Sequence, residues 1–228
     1  MSPAARRLPP ATPATRDLIL DAAERLFADQ GFARTTIKVI GRVAGVNSAL
    51  LYYYFADKDQ LYREVLQRFV SRLVTRTMDA MGNDPEAALR AFVAAQAETV
   101  AASPHAPRLF ARELIDYDAA HAVEQVHLMA ATSFRRLCEL IEQGQHAGMF
   151  RRDVDPRFAA ISTIAQVAYF AIARPAVGVL LAERPGTASP RTLEAFARHA
   201  ADFAVAALTV PRPVPRPAPP RRRRRSSR

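Results

Sequence analysis

Apolar residues near the start of the chain recur at the spacing of a helix. Leu18, Ile19, Ala22, Ala23, Leu26 and Phe27 share one face of a segment from about Thr15 to Gln30, and Asp17, Asp21, Glu24 and Arg25 cover the other. Gly31 is a fitting stop. Thr35 or Thr36 then caps a second helix carrying Ile37, Ile40, Val43 and Ala44, and Gly45 breaks it. Asn47 caps a third, short helix that ends near Tyr54. Asp57 opens a fourth, with Gln60 three residues on as the partner of a capping box.

The longer remainder repeats one device. Asp84-Pro85, Asp155-Pro156 and Ser189-Pro190 each set a capping residue before a proline at the first helical position. Helices are expected at about Asp57–Met81, Pro85–Ala102, Arg108–Ile115, Ala119–Gly144, Pro156–Ile172 and Pro190–Leu208, with a further helical segment over Val177 to Glu183. No stretch alternates at period two. The expected fold is all-α: a three-helix N-terminal unit over 16–56, a longer helical body over 57–210, a flexible arm over 1–15 and a tail over 211–228.

Composition narrows this picture. Half of the 228 residues are apolar, enough for a sizeable core, and the 8 glycines are few beside the abundant alanine and leucine. No run of 18 apolar residues suggests a membrane span, and the N-terminus lacks the apolar stretch of a signal peptide. The lone Cys138 excludes an internal disulfide, and its neighbours Leu137, Leu140 and Ile141 suit a buried structural thiol. The expected setting is the cytoplasm. The net charge of +10 is uneven: the last 18 residues hold eight arginines and no acid, which leaves +2 for the rest. That Pro/Arg tail is expected to be disordered. Either Arg221 to Arg225 act as an electrostatic tether to a polyanion or the tail is an inert appendage, and truncation at Val210 distinguishes the two.

The stretch Thr35 to Leu61 carries the chemistry. Two short helices joined by Ala44-Gly45-Val46-Asn47, with glycine free to take a positive φ, form a helix-turn-helix, whose second helix fits the DNA major groove. Between Arg34 and Lys58 the net charge is +3, with Asp57 the one acid, and both lysines of the chain, Lys38 and Lys58, lie here. The recognition helix starts with small polar residues that can approach base edges and continues with tyrosines whose hydroxyls reach phosphates. Leu51 and Tyr54 are expected to face the small core.

In order, the segment reads Gly31-Phe32, Thr35-Thr36, Ile40-Gly41, Ala44-Gly45-Val46-Asn47, Leu51-Tyr52-Tyr53-Tyr54-Phe55 and Lys58-Asp59-Gln60-Leu61. It resembles the DNA-binding domain of the TetR family over about 45 residues. Three positions depart from the family pattern: Gly41 for alanine, which should loosen the second helix by ~1 kcal/mol, Asn47 for serine or threonine, and Ala49 for glycine. Asn47 and Ala49 lie where the operator is read. The resemblance implies that Thr36 caps the second helix and touches a phosphate. It implies that Ser48, Ala49 and Leu50 approach bases, that Tyr52 and Tyr53 meet the backbone or base edges, and that Lys58 binds a phosphate. Arg34 and Lys38 complete the expected contacts.

The resemblance further implies a homodimer paired through its last two long helices, a two-fold operator in double-stranded DNA, and a small-molecule effector that releases the DNA. The helix over 156–172 offers Phe158, Ala159, Ile161, Ser162, Ala165, Ala168 and Tyr169 to such pairing. That over 190–208 offers Leu193, Phe196, Ala197, Ala200, Phe203 and Ala204. Pocket candidates are polar or aromatic residues on otherwise apolar helices: Phe69, Phe92, Gln96, Arg112, Tyr117, His127, Phe134, Gln166 and Tyr169. A DNA-binding dimer without an effector is the alternative. A helical metal enzyme is a more distant one: Glu124 and His127 match half of a di-iron motif, but no second copy follows. No catalytic residue, metal or cofactor is expected.

Overall fold

The computed structural model describes residues 12–182 and 190–210. Residues 1–11 of the expected arm, the tail and the Ser189 cap lie outside the described residues, while the arm's last residues, expected to be flexible, instead cap and open α1. The elements are α1 (Pro13–Gln30), α2 (Ile37–Ala44), α3 (Ser48–Tyr54), α4 (Lys58–Ala80), α5 (Pro85–Ala102), α6 (Ala106–Asp116), α7 (Val123–Met129), α8 (Arg135–His146), α9 (Pro156–Ile172), α10 (Arg174–Leu180) and α11 (Pro190–Leu208). Among the described residues the sole β contact is an isolated bridge between Phe150 and Thr209, so the all-α expectation holds.

Capping chemistry sets most helix starts. Side chains of Asn47, Asp57 and Asp84 accept from Leu50, Gln60 and Ala87 N–H at 2.7–2.8 Å, and Asp155 accepts from Arg157 N–H at 2.8 Å. The capping box at α4 closes one residue early: Gln60 Oε1 accepts from Ala56 N–H at 2.6 Å. Thr12-Pro13 carries the same signature at α1, so that helix starts two residues before its expected position.

Two expected segments are corrected. The helix expected over Ala119–Gly144 starts only at Val123, because α6 consumes the donors that would have extended it. Ala119 N–H bonds Glu113 O at 3.1 Å, Ala120 N–H bonds Tyr117 O at 2.9 Å, and His121 N–H bonds the Glu113 carboxylate at 2.7 Å. Asp118 and Ala119 take φ of 49° and 61°, strained for residues with a side chain. A π-turn over Ala130–Phe134 then separates α7 from α8, with Thr132 Oγ1 bonded to Leu128 O. The segment expected over Val177–Glu183 instead begins at Arg174, with Pro175 in its first turn.

Packing builds two cores. The head core joins Ile19, Phe27, Ile40, Leu51 and Phe55 to Leu61, Tyr62, Val65 and Leu66 of α4, and to Leu109 and Ala122. The body core gathers Leu89, Phe92, Val93, Leu137, Ile141, Phe150, Val167, Phe170, Leu193 and Ala200. Arg68 bridges head and α4 through Asp21 at 2.7 Å and Glu24 at 2.9 Å. Glu24 is thus buried, contrary to its expected polar face, while Leu18 is half exposed. Arg90 near the start of α5 pairs with Asp202 near the end of α11, so these helices run antiparallel. No single helix is long and apolar enough to cross a membrane among the described residues.

Candidate nucleic-acid interface

The turn between α2 and α3 is held from both sides. Gly45 takes φ 72° and ψ 25°, a left-handed conformation that glycine adopts without strain, and Val46 N–H bonds Gly41 O at 2.9 Å. A Cβ added at Gly41 would stand 2.9 Å from Val46 O and 3.1 Å from Leu51 Cδ1. Gly41 therefore lets the turn close against α2, which corrects the expectation that it merely loosens the helix. Thr35 sits beneath, with Oγ1 donating to Gly31 O at 2.8 Å, and Thr36 is the N-cap of α2.

Burial sorts the residues of α3. Leu51 is buried in the head core, and Leu50 and Tyr54 pack half-buried against it. Ser48, Ala49, Tyr52 and Tyr53 point to solvent, Tyr53 with 73% of its surface exposed. Asn47 caps the helix at the same surface. Arg34, Thr36, Lys38 and Arg42 are exposed, and no acidic side chain pairs with Arg34, Lys38 or Arg42 among the described residues. Lys38 and Arg42 are one helical turn apart, so they share a face. Arg42 was not among the expected contacts, although its one-turn spacing from Lys38 is visible in the sequence.

Lys58 occupies a different place. Its ammonium donates to Phe32 O at 3.1 Å and lies 4.2 Å from the centre of the Phe32 ring. On the same aromatic cluster sits His121, 5.2 Å from both the Phe32 and Tyr62 rings. Its Nδ1 lies 3.1 Å from Glu113 Oε2, and its Nε2 is 3.4 Å from Asp59. Glu113 is fully buried, beside the Tyr62 hydroxyl. Burial, with the Glu113 carboxylate beside it, pushes the Tyr62 hydroxyl well above its ordinary range. The loop after α6 is thus wired to the turn that precedes the helix-turn-helix. Sequence alone did not single out His121 and Glu113, because eight positions separate them and their pairing follows no helical repeat.

The nine pocket candidates do not converge. Phe92 belongs to the body core, with Phe134 packed against that core and Gln96 buried one turn from Phe92, and Phe69 is buried in a smaller cluster with Val70 and Val74. Gln96 Nε2 donates to Ile164 O at 3.1 Å, while its buried Oε1 has no partner among the described residues. Arg112 and Tyr117 lie at the head, the latter's ring 6.2 Å from Phe32. His127 and Tyr169 are exposed. Gln166 lines a groove of about 350 Å³ between α9 and α11. Two larger clefts, each about 630 Å³, lie elsewhere: one between α5 and α11 over Ala97 and Leu193, the other between α4 and α7 beside His121 and Gln125. Cys138 is buried, which pushes its thiol up and suits the expected structural role.

Known proteins share both parts of the chain. Residues 19–65 match the model of the TetR family of bacterial regulatory proteins, and residues 85–203 match the tetracyclin repressor-like C-terminal domain. The transcriptional repressor KstR2 of Rhodococcus jostii is 32% identical over 157 residues, which cover 63% of this chain and 72% of that one. NicS of Pseudomonas putida, also a transcriptional repressor, is 32% identical over 162 residues, 68% of this chain and 74% of the other. The structure of the ketosteroid transcriptional regulator KstR2 of Mycobacterium tuberculosis aligns with a TM-score of 0.66 at 22% identity, over 90% of this chain and all of that one. With the helix-turn-helix geometry and a family match over both parts, the chain belongs to the TetR family and is a DNA-binding transcriptional regulator.

Proposed function

We propose that the chain is a repressor that binds a two-fold operator as a homodimer in the cytoplasm, by binding rather than catalysis, and that a small, largely apolar ligand releases it. The observation that carries the DNA reading is the solvent-facing surface of α3. Ser48, Ala49, Tyr52 and Tyr53 are presented together with the exposed cations Arg34, Lys38 and Arg42.

Dimerisation rests on a second surface. Phe158, Ile161, Tyr169 and Ile172 form an exposed apolar stripe on α9, beside exposed Phe203 on α11. A stripe of this kind is costly on a lone soluble chain and marks an association surface. Leu193, Ala197, Ala200 and Ala204 are instead buried in the protomer, so only part of the expected pairing surface is free. A two-fold pair places two recognition helices on half-sites about one DNA turn apart.

The effector site is proposed in the body core near Gln96. Its unpartnered Oε1 leaves a buried acceptor, one helical turn from the core residue Phe92, that a ligand hydroxyl or amide would satisfy. Release then follows from a body conformation that holds ligand better and DNA worse. The test is fluorescence anisotropy of the full chain against the duplex upstream of its own gene. Saturable binding that Tyr53→Ala abolishes is expected; equal binding to a scrambled duplex would overturn the reading. A compound panel that raises the Tm and lowers DNA affinity together identifies the effector.

A further inference from the structure

The cleft of about 630 Å³ between α4 and α7 has an unmet demand in its wall. Its sides come from Arg16 of α1, the first turns of α4, and the residues that lead into α7. Gln125 lines it and is 7% exposed, and its buried Oε1 has no hydrogen-bond partner among the described residues. An amide oxygen left in this way costs stability until something donates to it.

The charges around the cleft are otherwise spent on one another. Arg16 pairs with Glu64, which also accepts from Gln60 Nε2 at 3.1 Å. Arg63 pairs with Asp59 at 3.1 Å. The His121 ring is held between Glu113 and Asp59, which fixes the wall it forms. Glu124 also lines the cleft, and it has no cationic partner among the described residues. What stays open is therefore acceptor capacity: a buried amide oxygen and an unpaired carboxylate, on adjacent residues. An ammonium group supplies donors, a positive charge and no acceptor, which matches that demand. We infer that this cleft binds a small protonated amine, whose ammonium donates to Gln125 Oε1 and pairs with Glu124. The site is separate from the body core around Gln96, and neither reading depends on the other. One side belongs to α1 and α4 and the other to α7, so an occupant ties the head directly to the body.

Isothermal titration calorimetry of the full chain with 1,4-diaminobutane tests this. Saturable binding is expected. An uncharged diol of the same length, 1,4-butanediol, and an anion of the same length, succinate, should each bind about tenfold more weakly or worse. Glu124→Gln should weaken the diamine by a similar factor. Gln125→Leu should do the same, and should also raise the Tm of the free protein, because it removes a buried acceptor that lacks a partner. An amide with a purely structural role would lower the Tm when lost. Absence of saturable diamine binding, tighter binding of succinate or of the diol, or wild-type affinity in both variants would overturn the proposal.

Discussion

Asn47 and Gly41 show how much one residue decides at the turn. Asn47 Oδ1 satisfies Leu50 N–H at 2.8 Å, so Asn47→Ala should cost about 1 kcal/mol and fray the first turn of α3, where bases are met. Thermal unfolding and operator affinity should fall together. Gly41→Ala offers a contrast: helix propensity alone would stabilise by ~1 kcal/mol, yet the new methyl would meet the Val46 carbonyl at 2.9 Å. A lowered Tm is expected, and a raised one would refute the packing argument. The motif itself was legible, because caps, glycine and apolar spacing are local signals. The role of Gly41 was not, since it depends on how near Val46 and Leu51 come.

At the scale of elements, α5 and α9 fell where proline and aspartate signals placed them, because both cues act within one turn. The segment after α6 did not, because its donors are taken by Glu113, a tertiary choice that periodicity cannot show. Glu113→Ala should therefore strip the backbone N–H and ring nitrogen of His121 of their partner, at roughly 1–3 kcal/mol of stability. Urea unfolding measures it; an unchanged midpoint would show that the Glu113 network contributes nothing. The start of α9 carries a pH signature. The Arg157 guanidinium beside Asp155 holds its carboxyl near about 2, below the ordinary 3.8. A depressed carboxyl stabilises above its unfolded value, so this contribution is complete above about pH 4 and disappears as pH falls through about 2. Asp155→Asn keeps an acceptor for the cap but should flatten the acid limb of the Tm profile.

For the whole molecule, the division of labour follows from where apolar surface is buried and where it is left open. The head core extends into the first turns of α4 and takes Leu109 and Ala122 from beyond it, so head and body share side chains rather than a linker. The pocket candidates scattered because a helical repeat says which residues share a face, not which faces turn toward one another. The stripe on α9 and α11 predicts that Phe158→Glu/Phe203→Glu yields a monomer by light scattering, with the helical content retained. Such a monomer should lose most operator affinity, since one recognition helix reads one half-site.

The central claim is that the exposed face of α3 reads DNA sequence. Selection from a random duplex pool at modest salt tests it most directly. Wild-type protein should converge on a two-fold sequence with half-sites about one turn apart, and Ser48→Ala/Tyr53→Ala should lose that convergence while keeping the fold. A pool that stays random with wild-type protein, or converges equally with the variant, would contradict the account.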